Sequence, residues 1–190
     1  MHTCLATKLE STRPFPGDDR VESPGVQSTH AITIAASPAE VWPWLVQIGQ
    51  DRGGFYSYTL LENLFGCRMR NADHIHAAWQ TLAVGDGVQI HPRFPPLVVT
   101  SLTAGHHLVL MQHAPLPWTW AFQLLAIGQA GCRLLVRTRV ARAGCLTSVW
   151  LLPVMTVGHY VMERRMLIGI KDRSEAEVTR SGGNEASSRL

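Results

Sequence analysis

A histidine and a glutamate at helical spacing are the residues of this sequence best suited to acid–base chemistry. His159 precedes Glu163 by four residues in an apolar segment that is predicted to be helical. At that spacing the two side chains lie on one face of a helix and can interact. A histidine oriented by a carboxylate has the form of a general base. His159 is therefore the first candidate catalytic residue, although a core histidine bonded to the backbone fits the same pattern.

A polar turn supplies the residues that would assist such a base. Asp51-Arg52-Gly53-Gly54 separates two predicted short helices and is followed by Tyr56 and Tyr58. In an enzyme, Tyr56 and Asp51 are expected to support the histidine. In a binding protein, Tyr56 or Tyr58 can donate a hydrogen bond to a ligand carbonyl. The structural alternative is an Asp–Arg ion pair that holds a tight turn whose glycines adopt positive φ.

Large aromatic residues indicate an internal ligand pocket. Ligand sites are mostly apolar and carry a few placed polar groups. A small domain with so many bulky side chains around one helix is expected to leave concave space, although each aromatic residue alone also fits an ordinary core. The candidate ligand-binding residues are Trp120, Phe122, Trp150, Tyr160, His91 and Tyr58.

The other reactive residue types form no recognised metal-binding or catalytic motif. His74 and His76 alternate, as ligands on a strand would, but no Cys, Asp or Glu follows at a spacing typical of zinc sites. The sequence has no Gly-x-Ser-x-Gly motif, phosphate-binding glycine loop or dinucleotide fingerprint. We therefore expect no metal and no cofactor, with solvated loop positions for the histidines.

Composition and charge narrow the class of partner. The 190-residue chain has a net charge of +3, and only 16% of its residues are charged. Its arginines are scattered rather than gathered into a basic stripe, which argues against nucleic-acid binding. The 4 cysteines form no CxxC pair, and the N-terminus has no apolar run of the signal-peptide kind. These features favour a cytoplasmic protein with reduced thiols.

One apolar stretch has two interpretations. Cys145 to Met162 contains no Asp, Glu, Lys or Arg, and its length approaches that of a membrane-spanning helix. Pro153, Gly158 and His159 interrupt this stretch, and most of the preceding chain is strand-like. A helix that is apolar all round can also be enclosed by its own sheet. The sequence favours a buried closing helix over membrane association.

Local signals place these residues on the elements of an α+β domain. His30 to Ala35 alternates as a strand does. Ser37, Pro38 and Glu40 have the residue types of the N-cap, N1 and N3 positions of a capping box, which predicts the start of a helix. A second short helix is predicted from about Ser57 to Gly66, where glycine is a natural C-terminal residue.

Strands and a closing helix follow. Apolar alternation and turn residues predict strands at Val88–His91, Leu97–Leu102, Leu108–His113, Trp118–Ile127 and Cys132–Arg142. In the last strand Arg133, Arg137 and Arg139 alternate with apolar residues, which predicts a solvated face for the arginines. The closing helix is predicted from about Leu146 to Arg173. The domain is expected over residues 29–173, with disorder over 1–28 and 174–190, where apolar periodicity is weak.

Two runs resemble a known family. Ser37 to Tyr58 (SPAEVWPWLVQIGQDRGGFYSY), continued by Leu61-Glu-Asn63, and Tyr160 to Lys171 (YVMERRMLIGIK) are similar to a bacterial branch of the SRPBCC superfamily. That superfamily includes START lipid-transfer domains and aromatic polyketide cyclases. The resemblance implies a helix-grip fold, in which a strongly curved antiparallel sheet surrounds a long C-terminal helix and two short helices follow the first strand. Related members carry His-Pro-Glu-Trp where this chain has His76-Ala-Ala-Trp79, so that loop lacks a carboxylate.

These observations lead to two main expectations for function. The first is a protein that holds an apolar or amphipathic small molecule, such as a lipid, a polyketide or an aromatic compound, in an internal cavity. The second is a cyclase- or dehydratase-type enzyme that acts on a polyketide-like substrate in the same cavity, with His159 as base. A third alternative is an interaction or membrane-surface protein that uses the apolar closing segment.

Overall fold

One sheet and one long helix make up most of the fold. The computed structural model describes residues 4–58, 63, 69–142 and 145–187, without the side chains of 145–157, 159 and 182–187. Its helices are α1 (Lys8–Thr12), α2 (Pro38–Val46) and α3 (Cys145–Ser187), with short 3-10 turns at Asp18–Arg20 and Ala77–Trp79. Its strands are β1 (Pro24–Ile34), β2 (Gly87–Val88), β3 (Leu97–Thr103), β4 (His107–Gln112), β5 (Trp118–Ile127) and β6 (Gly131–Ala141).

The strands form a six-stranded antiparallel sheet in the order β1-β6-β5-β4-β3-β2. Strands β3 to β6 follow one another as neighbours, whereas β1 lies at the edge beside the last strand. Helix α3 packs against one face, which we call the inner face. The predicted α+β helix-grip fold is confirmed. The predicted second short helix lies outside the described residues except at Ser57, Tyr58 and Asn63.

Helix α2 begins as the sequence predicts. Ser37 is the N-cap of a capping box, and its backbone N–H donates to the Glu40 carboxylate at 2.6 Å. Pro38 occupies the first turn, where the missing N–H has no helical partner to lose. Pro43 lies within this nine-residue helix, which ends at Val46.

The inner face carries the main apolar core. Alternate side chains of the strands pack against Met166, Leu167 and Ile170 of α3. Each of these three helix residues is at most 1% exposed. The approach is closest at Gly169, where an added Cβ would lie 2.2 Å from the Tyr56 carbonyl oxygen. Glycine therefore lets α3 rest directly on the segment that follows α2.

The outer face is covered by residues 4–23, which we call the N-terminal strap. The prediction of a disordered lead over 1–28 is wrong for residues 4–28, because they contain α1, a 3-10 turn and the first residues of β1. Phe15 of the strap is 5% exposed and packs with Ala31, Val109, Ala121 and Leu135 of the sheet. Proline and glycine interrupt the local apolar pattern of this segment, but they do not prevent it from being ordered. Its tertiary contacts with the sheet order the chain.

The strap also corrects the prediction of solvated arginines on β6. The Arg137 side chain is 2% exposed and forms an ion pair with Asp18 at 2.8 Å. Its guanidinium donates further hydrogen bonds to the carbonyl oxygens of Glu10, Ser11 and Arg13 at 2.9 to 3.0 Å. Arg133 and Arg139 likewise pair with strap carboxylates, those of Glu10 and Asp18 respectively. Alternation identified the face correctly, but not the segment that covers it.

Helix α3 is longer than predicted and continues into the expected C-terminal tail. It runs to Ser187, so the expected disorder over 174–190 is wrong for residues 174–187. Ser174 is fully buried, and the Glu175 carboxylate accepts a hydrogen bond from the backbone N–H of Ala35 at 2.7 Å. These contacts attach the added turns to the end of β1.

In the part of the chain that the structure describes, no helix combines the length and the apolar character needed to cross a membrane. The side chains of residues 145–157, which form most of the apolar stretch at the start of α3, lie outside that part.

Candidate functional site

The candidate site lies where β1 faces α3. His30 and Ile32 alternate along β1, and Ile32 belongs to the main core. His30 is paired with Val136 of β6, which is itself an inner-face core residue. Because opposite residues of antiparallel strands share a face, the His30 side chain is directed to the inner side of the sheet. Glu163 approaches the same place from α3.

The two side chains form a close pair. His30 Nδ1 lies 2.5 Å from Glu163 Oε2. The glutamate side chain is 1% exposed, whereas the histidine side chain is 12% exposed. The carboxylate is thus enclosed, and the imidazole is the accessible member of the pair.

An indole holds the other carboxylate oxygen. Trp120 of β5 donates from Nε1 to Glu163 Oε1 at 3.1 Å, in buried surroundings. Since an indole N–H can only donate, this oxygen must act as an acceptor. Both oxygens of Glu163 therefore have assigned contacts, with Trp120 on one side and His30 on the other.

Aromatic and hydroxyl groups surround the pair. The rings of Phe55 and Phe122 lie 5.7 and 4.9 Å from that of Trp120, and the Tyr160 ring lies 5.0 Å from that of His30. On the sheet Thr138 lies opposite both Ser28 and Trp120, so two hydroxyl-bearing residues share the inner face with the pair. The site is an apolar wall that carries the polar pair and the two hydroxyl-bearing residues.

This arrangement can exchange hydrogen bonds or a proton with a small molecule. The contact at Nδ1 turns His30 Nε2 away from the carboxylate, and within the described residues Nε2 has no hydrogen-bond partner. A buried carboxylate that orients an accessible imidazole is also the arrangement of a general base. The tautomer of the ring depends on which atom of the pair holds the shared proton.

Comparisons with known proteins bear on the fold. No protein-family model matches this chain, and no curated protein matches it. Among solved structures, the KanY protein shares 14% sequence identity with a TM-score of 0.50, covering 79% of this chain and 97% of KanY. This likeness shows the fold alone, and it agrees with the helix-grip architecture.

Two further solved structures show weaker similarity. A norcoclaurine synthase point mutant from Thalictrum is 14% identical, with a TM-score of 0.48 and coverage of 80% of this chain and 95% of its own. Protein Ms6760 from Mycobacterium smegmatis is 12% identical, with a TM-score of 0.47 and coverage of 95% and 99%.

The predicted site residues divide into three groups. Trp120, Phe122 and Tyr160 line or adjoin the His30–Glu163 pair. His159 and Trp150 belong to α3, as predicted, but their side chains lie outside the described part. The proposed interaction of His159 with Glu163 stays a prediction, and the described histidine on Glu163 is His30.

The other predicted residues lie apart from the pair. Asp51 is exposed in the turn after α2, with a φ of 60°. Tyr58 is 41% exposed. In the loop after β2, the ring centroid of His91 lies 5.0 Å from that of Phe94. The Nδ1 atom of His91 accepts a hydrogen bond from the backbone N–H of Arg93 at 3.1 Å.

Tyr56 is buried and already bonded. Its side chain donates to the Trp44 carbonyl oxygen at 3.1 Å, and the Arg173 guanidinium lies 4.8 Å from its ring. Burial raises the pKa of the Tyr56 hydroxyl well above its ordinary value. The described contacts of Tyr56 connect α2 to α3, which is a structural position.

Among the described residues, the His, Cys, Asp and Glu side chains form no group of three or more that could hold a metal ion. The ring centroids of His74 and His76 lie 4.0 Å apart, and the His76 ring also contacts the ring of Trp79. These histidines therefore stack in a half-exposed loop.

The sequence contained one usable signal for His30. It stands two and four residues before Ile32 and Ile34, so alternation alone places all three side chains on one face of the strand. Alternation does not identify the partner of His30, because Glu163 is 133 residues away along the chain. Spacing favoured the local histidine, four residues away, over the distant one.

Proposed function

We propose that this protein binds an apolar or amphipathic small molecule, such as a lipid, a polyketide or an aromatic compound, between the inner face of the sheet and α3. The apolar part of the ligand would lie against the aromatic wall, and its polar end would meet His30 Nε2. The observation that carries the proposal is the accessible imidazole backed by an enclosed carboxylate, with 12% and 1% of the side chains exposed.

The cost of burying such a pair supports a functional role. Removing a carboxylate from water is expensive, and apolar residues of similar volume often stabilise a core as well as a buried ion pair does. A pair of titratable groups in an apolar site is therefore a candidate functional site. The ligand itself would be held mainly by apolar burial, at roughly 25 cal/mol per Å².

The SRPBCC-like runs support the same class of function. They include Tyr160 and Glu163, which lie at the site. A bacterial member of that superfamily with a bound small molecule is the finer assignment that we propose. We further propose a cytoplasmic location, in keeping with the buried free thiols of Cys4 and Cys132.

The test begins with the protein as purified. Organic extraction followed by mass spectrometry is expected to release a lipid, polyketide or aromatic compound. Thermal stabilisation by members of a lipid and polyketide panel would identify the class. A clean extract with no stabilisation across the panel would contradict the proposal.

A substitution then tests the polar end of the site. In His30→Gln the side-chain amide can still donate to Glu163, but the imidazole is lost. We expect an affinity loss of about tenfold for a ligand with a polar end, since hydrogen bonds to such groups contribute about 1.5 kcal/mol. His113→Gln, at an exposed histidine after β4, is the matched control and should bind normally. Equal affinities in the two variants would exclude His30 from the site.

The same pair favours a second candidate, a cyclase- or dehydratase-type enzyme. His30 Nε2 would remove a proton from a carbon beside a carbonyl of a polyketide-like substrate, and Glu163 would stabilise the imidazolium. The enolate would attack a second carbonyl of the same molecule, and the imidazolium would return its proton to the new alkoxide. His159 stays the alternative base.

Turnover of a model poly-β-ketone by His30→Gln, His159→Gln and His113→Gln separates these roles. Loss of a general base lowers the rate by roughly 100-fold or more. Such a loss in His30→Gln alone would support His30 as the base, and a loss in His159→Gln alone would support His159. If the wild-type protein binds the compound without converting it, the proposal of a binding function is retained and the proposal of an enzyme is rejected.

A further inference from the structure

Trp120 connects the polar pair to the sheet. Its Nε1 lies 3.1 Å from Glu163 Oε1, while the other oxygen of the same carboxylate lies 2.5 Å from His30 Nδ1. Trp120 is the third residue of β5, and its side chain has ring contacts with Phe55 and with Phe122. Glutamate has three rotatable bonds, so the indole contact selects one carboxylate orientation among several.

That orientation decides how the imidazole is presented. With Oε1 held by Trp120, Oε2 faces Nδ1, and the ring nitrogen that can meet a ligand is Nε2. Loss of the indole contact removes one constraint on the carboxylate, which favours rotation of the carboxylate and a turn or a tautomer change of the ring. A hydrogen bond to a ligand oxygen requires a fixed distance and angle, whereas apolar contact does not.

We propose that Trp120 is a specificity-determining residue, which acts through Glu163 and His30 to make the site select ligands with a ketone or hydroxyl oxygen over hydrocarbons of the same shape. This inference rests on the proposed function and names the ligand class: an apolar, largely aromatic body with one oxygen at the end that meets His30. The aromatic body fits the wall formed by Trp120, Phe122 and Phe55.

The neighbouring tryptophan provides a matched control. Trp118 lies two residues earlier on the same strand, so its side chain belongs to the same face. Its indole donates to Gln112 Oε1 at 3.2 Å instead of to Glu163. Trp118→Phe and Trp120→Phe therefore remove the same group from the same strand, but only the second removes the contact with the carboxylate.

The experiment uses two probes of equal shape, 2-acetylnaphthalene and 2-isopropenylnaphthalene, which differ in a ketone oxygen and a methylene group. Dissociation constants are measured by calorimetry for the wild type and both variants. The wild type and Trp118→Phe are expected to prefer the ketone about fivefold, the effect of one ordinary hydrogen bond. In Trp120→Phe the preference should fall to about one, and this ratio does not depend on changes in the aromatic wall, because both probes meet the same wall.

A ligand-free measurement provides a second readout. Nitrogen-15 chemical shifts of the His30 ring report its tautomer, and we expect them to change in Trp120→Phe but not in Trp118→Phe. Glu163→Gln serves if Trp120→Phe does not fold. Its amide oxygen still accepts from Trp120, so the amide N–H must face Nδ1 and the His30 proton must lie on Nε2.

The outcomes are distinct. A ketone preference and His30 shifts that are the same in Trp120→Phe as in the wild type overturn the inference, and so does loss of the ketone preference in Glu163→Gln, in which the His30 Nε2–H can donate to the ketone. Wild-type protein that binds both probes equally overturns the inference but supports the binding function. Failure of the wild type to bind either probe contradicts the inference, and together with a clean organic extract it also contradicts the proposed function.

Discussion

Gly169 shows how a single residue fixes the position of the helix that carries the site. A Cβ at this position would lie 2.2 Å from the Tyr56 carbonyl oxygen and 2.7 Å from its Cβ. Neither neighbour can retreat easily, because Tyr56 is bonded to Trp44 through its hydroxyl and to Asn71 through its backbone N–H. The contact therefore sets how deeply α3 lies against the rest of the molecule.

We expect Gly169→Ala to lower the free energy of unfolding by about 2 kcal/mol, since forced overpacking typically costs more than the helix propensity that alanine adds. Gly158→Ala is the control in the same helix, because a Cβ there meets no atom within 4 Å. That change should raise the free energy by about 0.5–1 kcal/mol. Urea unfolding of both variants measures the difference, and equal midpoints would show that α3 is not held at Tyr56.

At the same scale, the sequence identified the residues of the site better than their pairing. Glu163, Trp120, Phe122 and Tyr160 were selected for chemistry or for aromatic character, and all four meet at the pair with His30. Spacing along a helix can only pair residues within a turn or two, so it favoured His159. A contact between an edge strand and the last helix depends on the topology of the whole sheet.

The element that sequence patterns misjudged is the N-terminal strap. Its proline, glycine and charged residues have no apolar period, but the arginines of β6 supply the contacts that order it. The Arg133 guanidinium lies 2.9 Å from one Glu10 oxygen and 3.1 Å from the other. Helix α1 itself has only five residues, with a capping box that joins Thr7 to Glu10. Such a short helix depends on tertiary packing, which a local pattern does not contain.

The ion pair of Glu10 gives the strap a defined pH dependence. Hydrogen bonding to Arg133 lowers the pKa of the Glu10 carboxyl from 4.5 to about 2. Since the folded-state pKa is depressed, the stabilising effect is complete above pH 4.5 and is lost as the pH falls toward 2. We expect Glu10→Gln to be less stable than the wild type at pH 7, with a difference that shrinks steadily between those two values.

Urea unfolding at several pH values measures this effect. Glu22→Gln, at an exposed carboxylate in the same strap, is the control and should unfold at the same urea concentration as the wild type. A Glu10→Gln difference that stays constant from pH 7 to pH 3 would mean that the Arg133 contact does not hold the strap.

At the scale of the whole molecule, two apolar layers share one sheet. The larger layer lies between the inner face and the helices, and the smaller one lies under the strap. The order of elements and the alternation on β5 and β6 were sufficient to predict the first layer and the helix-grip fold. The second layer could not be predicted, because the apolar residues of its partner segment, Phe15 and Ala6 among them, follow no regular period.

Removal of the strap separates the contributions of the two layers. A chain that begins at Pro24, the first residue of β1, would lack the strap and would uncover Arg137 together with Ala31, Val109, Ala121 and Leu135. Exposing this apolar layer to water costs roughly 25 cal/mol for each Å² of apolar surface. We therefore expect the shortened protein to unfold at a clearly lower urea concentration and to bind a hydrophobic dye, while a chain that lacks only residues 1–3 behaves as the full protein. If the chain that begins at Pro24 keeps the full midpoint, the outer layer contributes nothing to the stability of the sheet.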